Sequence, residues 1–182
     1  LEVLGQMQYT MRNMGSEGEF FQPVVGSGPR SCWPDASATE RIIRRGELVL
    51  TDIGPFYHCY VGDMSRTFII GELNQTQRYI LETVITVEEE AIKMVCAGMR
   101  ARDLDYAMRK AIEKRGLPSY LAHSGHGLGI GADPPWITLD SLDVLEVGDF
   151  IAIEPGVYIP GAGGARMEDD VIVLEEGCEL LG

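Results

Sequence analysis

Four acidic residues sit in stretches of this chain that are otherwise apolar enough to be buried strands. Asp52 lies in LVLTDIG, Asp63 in VGDMSRTFII, Glu154 in FIAIEPGVYI and Glu168 in ARMEDDVIVL. Aspartate is a poor strand former, and a buried carboxylate is costly unless something positive meets it. Any fold for this chain must either turn these acids to water or gather them around cations.

Turn chemistry points to gathering. A two-residue turn at Tyr57-His58 pairs Pro55 with Tyr60 and sets Asp52 directly opposite Asp63. A loop centred on Gly161 pairs Tyr158 with Gly164 and Glu154 with Glu168. Directly opposed residues have Cβ atoms roughly 4.5–5.5 Å apart and share a face, where like charges repel unless a cation lies between them. One such pair fits a solvated sheet face; two pairs in apolar strands fit a cation site better. His126, between glycines in SGHGLG, offers a nitrogen ligand, and the glycines permit close approach. Four carboxylates and an imidazole suit two divalent ions such as Mn, Co, Fe or Zn. Two such ions roughly 3.5–4 Å apart can share carboxylates and a water.

Composition narrows the class. The 182 residues fit one domain with a real core, and 45 % hydrophobic with 24 % charged residues is ordinary for a globular protein. The net charge of −13 argues against nucleic acid as a partner. No apolar run reaches the length of a membrane span and no signal peptide opens the chain. Cys32, Cys59, Cys96 and Cys178 are scattered, which reads as reduced thiols in a cytoplasmic protein.

The spacing of Leu4, Met7 and Met11 predicts a helix over LEVLGQMQYTMRNMG. It has no N-cap, so residues upstream of Leu1 are expected. FFQPVVGSG reads as a strand running into a loop, and Ala38 to Arg45 as a short helix ended by Gly46. A long helix begins near Asn74, with Ile80, Val84, Val87, Ala91 and Met94 on one stripe and Gly98 as its end. A second covers about Asp103 to Arg115, with Leu104, Met108 and Ile112 on one face and Gly116 beyond. LAHSGHGLGIG reads as a strand opening into a loop, followed by GDFIAIEPGVYI and GARMEDDVIVL as two more strands. Strand pair, two helices, strand pair gives a mixed α/β (α+β) domain of antiparallel hairpins.

TDIG…GDMSRTF, SGHGLG, IAIEPGVYIPG and GARMEDDVIV, in this order and spacing, resemble the M24 metallopeptidase family. That family includes Xaa-Pro aminopeptidases, prolidases and methionine aminopeptidases and has the pita-bread fold. RMEDD and EPGVYIPG are most similar to the Xaa-Pro branch. The resemblance implies one M24-type catalytic domain over residues 1–182, without the separate N-terminal domain that shapes pocket and dimer in Xaa-Pro relatives. Asp52 would be a bidentate ligand of one metal, Asp63 and Glu168 would bridge both ions, and His126 and Glu154 would complete the set. Glu154 would also be the general base on the bridging water. Arg166 shares a strand face with Glu168 and either hydrogen-bonds a ligand carboxylate or lies on the surface. Asp170 is a further candidate for that supporting layer.

The chain also departs from the family pattern. GPRSCWPDAS places Asp35 where the family's GPNxxxPH loop has histidine. GLGIGADPPW lacks the histidine of a GLxxHExP run, leaving Asp133 or Ala132 in that slot. Ala122 stands four residues before His126, where relatives carry another histidine. His123 is one position off and either substitutes for it or is a core histidine. His58, at the proposed turn, reads as solvent-exposed. The expected function is a dinuclear metal-dependent hydrolase of amide bonds in a small peptide or amide, Xaa-Pro peptidase-like, with a homodimer as the assembly. Two alternatives stay open: an M24-fold enzyme with a more acidic pocket for a non-peptide or cationic substrate, and a non-catalytic relative. Retention of all five ligands weighs against the latter.

Overall fold

Antiparallel strands carry the predicted site: Asp52 lies within a strand, and Asp63, Glu154 and Glu168 fall where strands break. The computed structural model describes residues 1–181. Its helices are α1 (Glu2–Asn13), α2 (Gln75–Ile92) and α3 (Ala101–Lys114). The strands of the first part are β1 (Gly18–Glu19), β2 (Val24–Ser27), β3 (Glu47–Ile53), β4 (Pro55–Tyr57), β5 (Tyr60–Val61) and β6 (Met64–Ile70). Those of the second are β7 (Gly125–Leu128), β8 (Ala132–Trp136), β9 (Phe150–Ile153), β10 (Gly156–Ile159), β11 (Gly163–Arg166), β12 (Asp169–Val173) and β13 (Cys178–Leu180). The sheets run β1-β4-β5, β2-β3-β6, β10-β11 and β13-β12-β9-β7-β8. Every ladder among the described residues is antiparallel, as the hairpin pattern predicts.

α2 starts where its sequence says. The Asn74 side chain accepts from Gln77 N–H and the Gln77 side chain accepts from Asn74 N–H, satisfying two otherwise orphaned donors. Ile80, Val84, Val87 and Ala91 are buried in one core with Leu104, Met108 and Ile112 of α3 and Ile151, Ile153 and Val171 of the largest sheet. Gly116, with φ of +73°, follows α3 as expected. The end of α2 comes earlier than Gly98. The helix stops at Ile92, Met94 is 41 % exposed, and the following turn buries Val95 instead.

Three further expectations need correction. Residues 38–45 form no helix; the Arg41 guanidinium donates to Ser27 Oγ at 2.9 Å and pairs with Glu47, lashing an extended segment to β2 and β3. The first hairpin turns at His58-Cys59, not Tyr57-His58. Both residues are left-handed (φ 49° and 69°), the geometry of a type I′ turn. Tyr57 therefore pairs with Tyr60, and Asp52 faces Ser65 rather than Asp63. Asp63 lies just before β6, one strand repeat away on the same side. The hairpin is also not one ladder: β4 and β5 belong to a separate sheet. Gly54 marks the break, where a Cβ would stand 2.5 Å from the rings of Phe20 and Phe21.

The second hairpin keeps its predicted register. Tyr158 pairs with Gly164 and Gly156 with Arg166, and the same alignment resumes at Ile153 with Asp169. GDFIAIEPGVYI and GARMEDDVIVL are nonetheless each two strands. Glu154-Pro155 and Met167-Glu168 are unpaired residues between the two sheets, and Pro155 has no N–H to extend a ladder. Both acids thus sit opposite one another at a seam.

Candidate metal centre

The five predicted ligands converge. β3 supplies Asp52, the link before β6 Asp63, β7 His126, and the two seam segments Glu154 and Glu168. Asp52, Asp63, His126 and Glu168 are buried, Glu168 to 1 % exposure, and the Glu154 side chain is only 10 % exposed. His126 Nε2 lies 3.6 Å from both Asp63 Oδ2 and Glu154 Oε1. One ligand atom each from Asp63, His126 and Glu168 falls within 4.8 Å of the others. His126 takes this position because β7 runs tightly between β8 and β9. A Cβ on Gly125 would strike the Ala152 carbonyl, and one on Gly127 the carbonyl of Pro134. The flanking glycines thus serve close packing of the strands around His126.

The electrostatics show what the cluster lacks. Asp52 Oδ1, Asp63 Oδ1 and both carboxylate oxygens of Glu168 are buried without a hydrogen-bond partner. Buried polar atoms ordinarily have partners, so these oxygens point to an ion among them. Burial and then the charge of Asp52 push the Asp63 carboxyl up to about 10. Burial and the charges of Glu154 and Asp63 drive Glu168 well above its ordinary value, and burial raises Asp52 although Arg166 opposes it. Acids in this condition either hold protons or hold cations. Glu154 differs: burial works to raise it, but the His123 imidazole 3.0 Å from its Oε1 and the nearby Arg166 charge hold it below the usual carboxylate value.

The surrounding residues brace this set. Arg166 is 4 % exposed; its Nη2 donates to Asp52 Oδ2 at 2.5 Å, its Nε to Ser65 Oγ at 2.7 Å and its Nη1 to Tyr158 OH at 2.9 Å. Asp170 is buried and accepts from Asp63 N–H at 3.2 Å. His123 Nε2 stands 3.0 Å from Glu154 Oε1, with its ring edge-on to His126 and Trp136. The structure thus seats His123 at the cluster rather than in a remote core. Asp35 is exposed but lines the cavity over the cluster. Asp133 does not: it is exposed on β8, and Ala132, on the other face of that strand, lines the wall instead. His58 is exposed at the hairpin tip.

Several site residues escape the sequence reading. Phe20, Phe21 and Trp136 wall the cavity. Tyr158 was open to discovery, since it follows Glu154 and Gly156 at the strand period of two. Behind His123, Ser124 donates to Asp105 and meets Tyr120 OH, while Arg109 Nε binds Asp105 at 2.8 Å. Ser124 O also accepts from Glu154 N–H at 2.9 Å, so this buried network fixes the backbone of both His123 and Glu154. Nothing in the spacing of Asp105 and Ser124 advertises that contact.

A mixed α/β fold of antiparallel strands, gathering four carboxylates and two imidazoles with unmatched oxygens, has the donor set of a divalent-metal protein. The sequence profile of metallopeptidase family M24 matches residues 1–175, and the chain belongs to that family. It is 38 % identical to the Xaa-Pro dipeptidase of Pyrococcus furiosus over 99 % of this chain and 52 % of the relative. It is 37 % identical to a putative dipeptidase of Bacillus subtilis, covering 50 % of that protein. Among solved structures it superposes on the Pyrococcus furiosus prolidase with a TM-score of 0.95 at 36 % identity, covering 98 % of this chain and 54 % of that one. An X-Pro aminopeptidase from Thermotoga maritima gives 0.94 at 32 % identity, covering 98 % and 51 %. The fold is therefore the pita-bread fold of these M24 prolidases. The chain spans about half the length of the curated relatives it matches.

Proposed function

We propose that this chain is the catalytic region of a metal-dependent hydrolase that cleaves the amide bond between an N-terminal residue and proline. The observation that carries this reading is the set of buried, partnerless carboxylate oxygens on Asp52, Asp63 and Glu168, the first two lining one cavity, in an M24 fold. Asp52, Asp63, His126, Glu154 and Glu168 would hold two divalent ions, of the Mn, Co, Fe or Zn class. When bound, such ions polarise a carbonyl and make water acidic enough to attack near neutral pH.

The protein's own residues do the rest. Glu154, held ionised by His123 and Arg166, takes a proton from the attacking water and is placed to return it to the leaving nitrogen as the C–N bond breaks. Arg166 fixes the Asp52 carboxylate in one orientation. Phe20, Phe21 and Trp136 give a proline ring apolar walls. The relatives' names support the substrate class, and four unpaired cysteines support a cytoplasmic setting. A homodimer belongs to the same reading, supported by Phe68 and Ile69 standing half-exposed on the edge strand β6.

The test is cleavage of an Ala-Pro-Xaa peptide beside its Ala-Ala-Xaa counterpart, before and after chelation. Proline-selective cleavage that stops on chelation and returns with Mn is expected. Cleavage indifferent to chelator, or to proline, would refute the proposal.

A further inference from the structure

We infer that the cavity discriminates against a free carboxylate on the proline residue, and that Asp35 turns its wall toward amides and basic peptides. This rests on the Xaa-Pro reading above and narrows its substrate class. The relatives named as dipeptidases act on a substrate whose proline ends the chain. A pocket built for such a substrate offers a cation to the terminal carboxylate, because a desolvated anion without a partner is strongly disfavoured.

Among the described residues, this cavity of about 370 Å³ offers no cation that is not already engaged. Arg166 is its single lysine or arginine among the described residues, and Arg166 is committed. Its Nη2 is on Asp52, its Nε on Ser65, and its Nη1 on Tyr158 OH with the Pro34 carbonyl 3.4 Å away. Both imidazoles are engaged too: His123 Nε2 faces Glu154, and His126 has Nδ1 at the Gly127 carbonyl and Nε2 toward Asp63 and Glu154. Two divalent ions held by Asp52, Asp63, Glu154 and Glu168 would be matched in charge by those four acids. Against that, Asp35 stands exposed at the wall with no hydrogen bond or ion pair among the described residues, its charge adding to that of Glu154 in raising the His123 imidazole. An unpaired carboxylate repels a second one and attracts a cation, and repulsion of the wrong ligand is as effective a source of selectivity as attraction of the right one. A proline continued as a peptide or capped as an amide removes the clash; a basic residue after proline turns it into an attraction.

The experiment uses Mn-loaded protein and four substrates: Ala-Pro, Ala-Pro-NH2, Ala-Pro-Lys and Ala-Pro-Asp. The expected kcat/KM is at least about tenfold higher for Ala-Pro-NH2 than for Ala-Pro, and for Ala-Pro-Lys than for Ala-Pro-Asp. Asp35→Asn should shrink the Lys-over-Asp ratio to within about threefold, and Asp35→Lys should reverse it. Equal turnover of Ala-Pro and its amide, or a ratio unmoved by Asp35→Asn, overturns the inference while leaving the Xaa-Pro reading intact. Equilibrium binding of proline and prolinamide, read by Trp136 fluorescence in a Trp33→Phe background, tests the wall without turnover. Prolinamide binding about tenfold tighter supports the inference, and equal affinities refute it. Absence of peptide cleavage with that binding preference intact refutes the Xaa-Pro reading alone.

Discussion

Substituting glutamine for Glu154 is expected to lower kcat on an Ala-Pro-Xaa peptide by about three orders of magnitude, with KM changed far less. Glutamine matches glutamate in size but cannot take a proton, and it gives up the negative charge that faces His123 at 3.0 Å. Glu154 is the base in the proposed reading, the cluster acid that the neighbouring His123 and Arg166 hold below its ordinary value. Steady-state kinetics with bound metal quantified in the same preparation separate loss of the base from loss of an ion. A Glu154→Gln protein with full metal content and more than about a tenth of normal kcat would remove Glu154 from the base role.

Arg166→Met is expected to destabilise the metal-free protein by about 3–5 kcal/mol in mildly alkaline buffer, the range for breaking a buried ion pair from one side. The guanidinium is 4 % exposed and touches Asp52, Ser65 and Tyr158, with Glu154 Oε2 3.8 Å from its Nε. Methionine fills similar volume, so the loss reads out charge and hydrogen bonds rather than a void. Arg166→Lys should recover only part of the loss, because one ammonium cannot span the three directions a planar guanidinium serves. Urea unfolding monitored by far-UV circular dichroism measures both. A cost below about 1 kcal/mol for Arg166→Met would show that the acids are satisfied some other way.

The residues that proved most readable were those whose type conflicts with their surroundings. Acids in strands such as FIAIEPGVYI announced the cluster, and the Gly161 loop fixed the Glu154–Glu168 register, which survives even though both residues are unpaired. The first hairpin was misplaced because Tyr57-His58 and His58-Cys59 are equally poor turn sequences on paper. Only the packing of β4 and β5 into their own sheet settles the choice, through left-handed conformations that neither His58 nor Cys59 favours. Ala38 to Arg45 failed for a related reason. Local helix propensity lost to the Arg41–Glu47 pair, a contact with a strand that begins only at Glu47. Asp133 was one of two readings of a slot; strand alternation on β8 puts Ala132 on the cavity wall. Long-range supports such as Asp105 beneath Ser124 leave no periodic trace, since a single buried hydrogen bond imposes no spacing on the chain.

The central claim is that Asp52, Asp63, His126, Glu154 and Glu168 form one site for divalent ions. Elemental analysis of protein purified without chelator and re-equilibrated with Mn or Co tests it most directly, run in parallel on Asp63→Ala. About two ions per chain, with at least one lost on Asp63→Ala, is the predicted result. No bound metal, or a metal content that Asp63→Ala leaves unchanged, would contradict it.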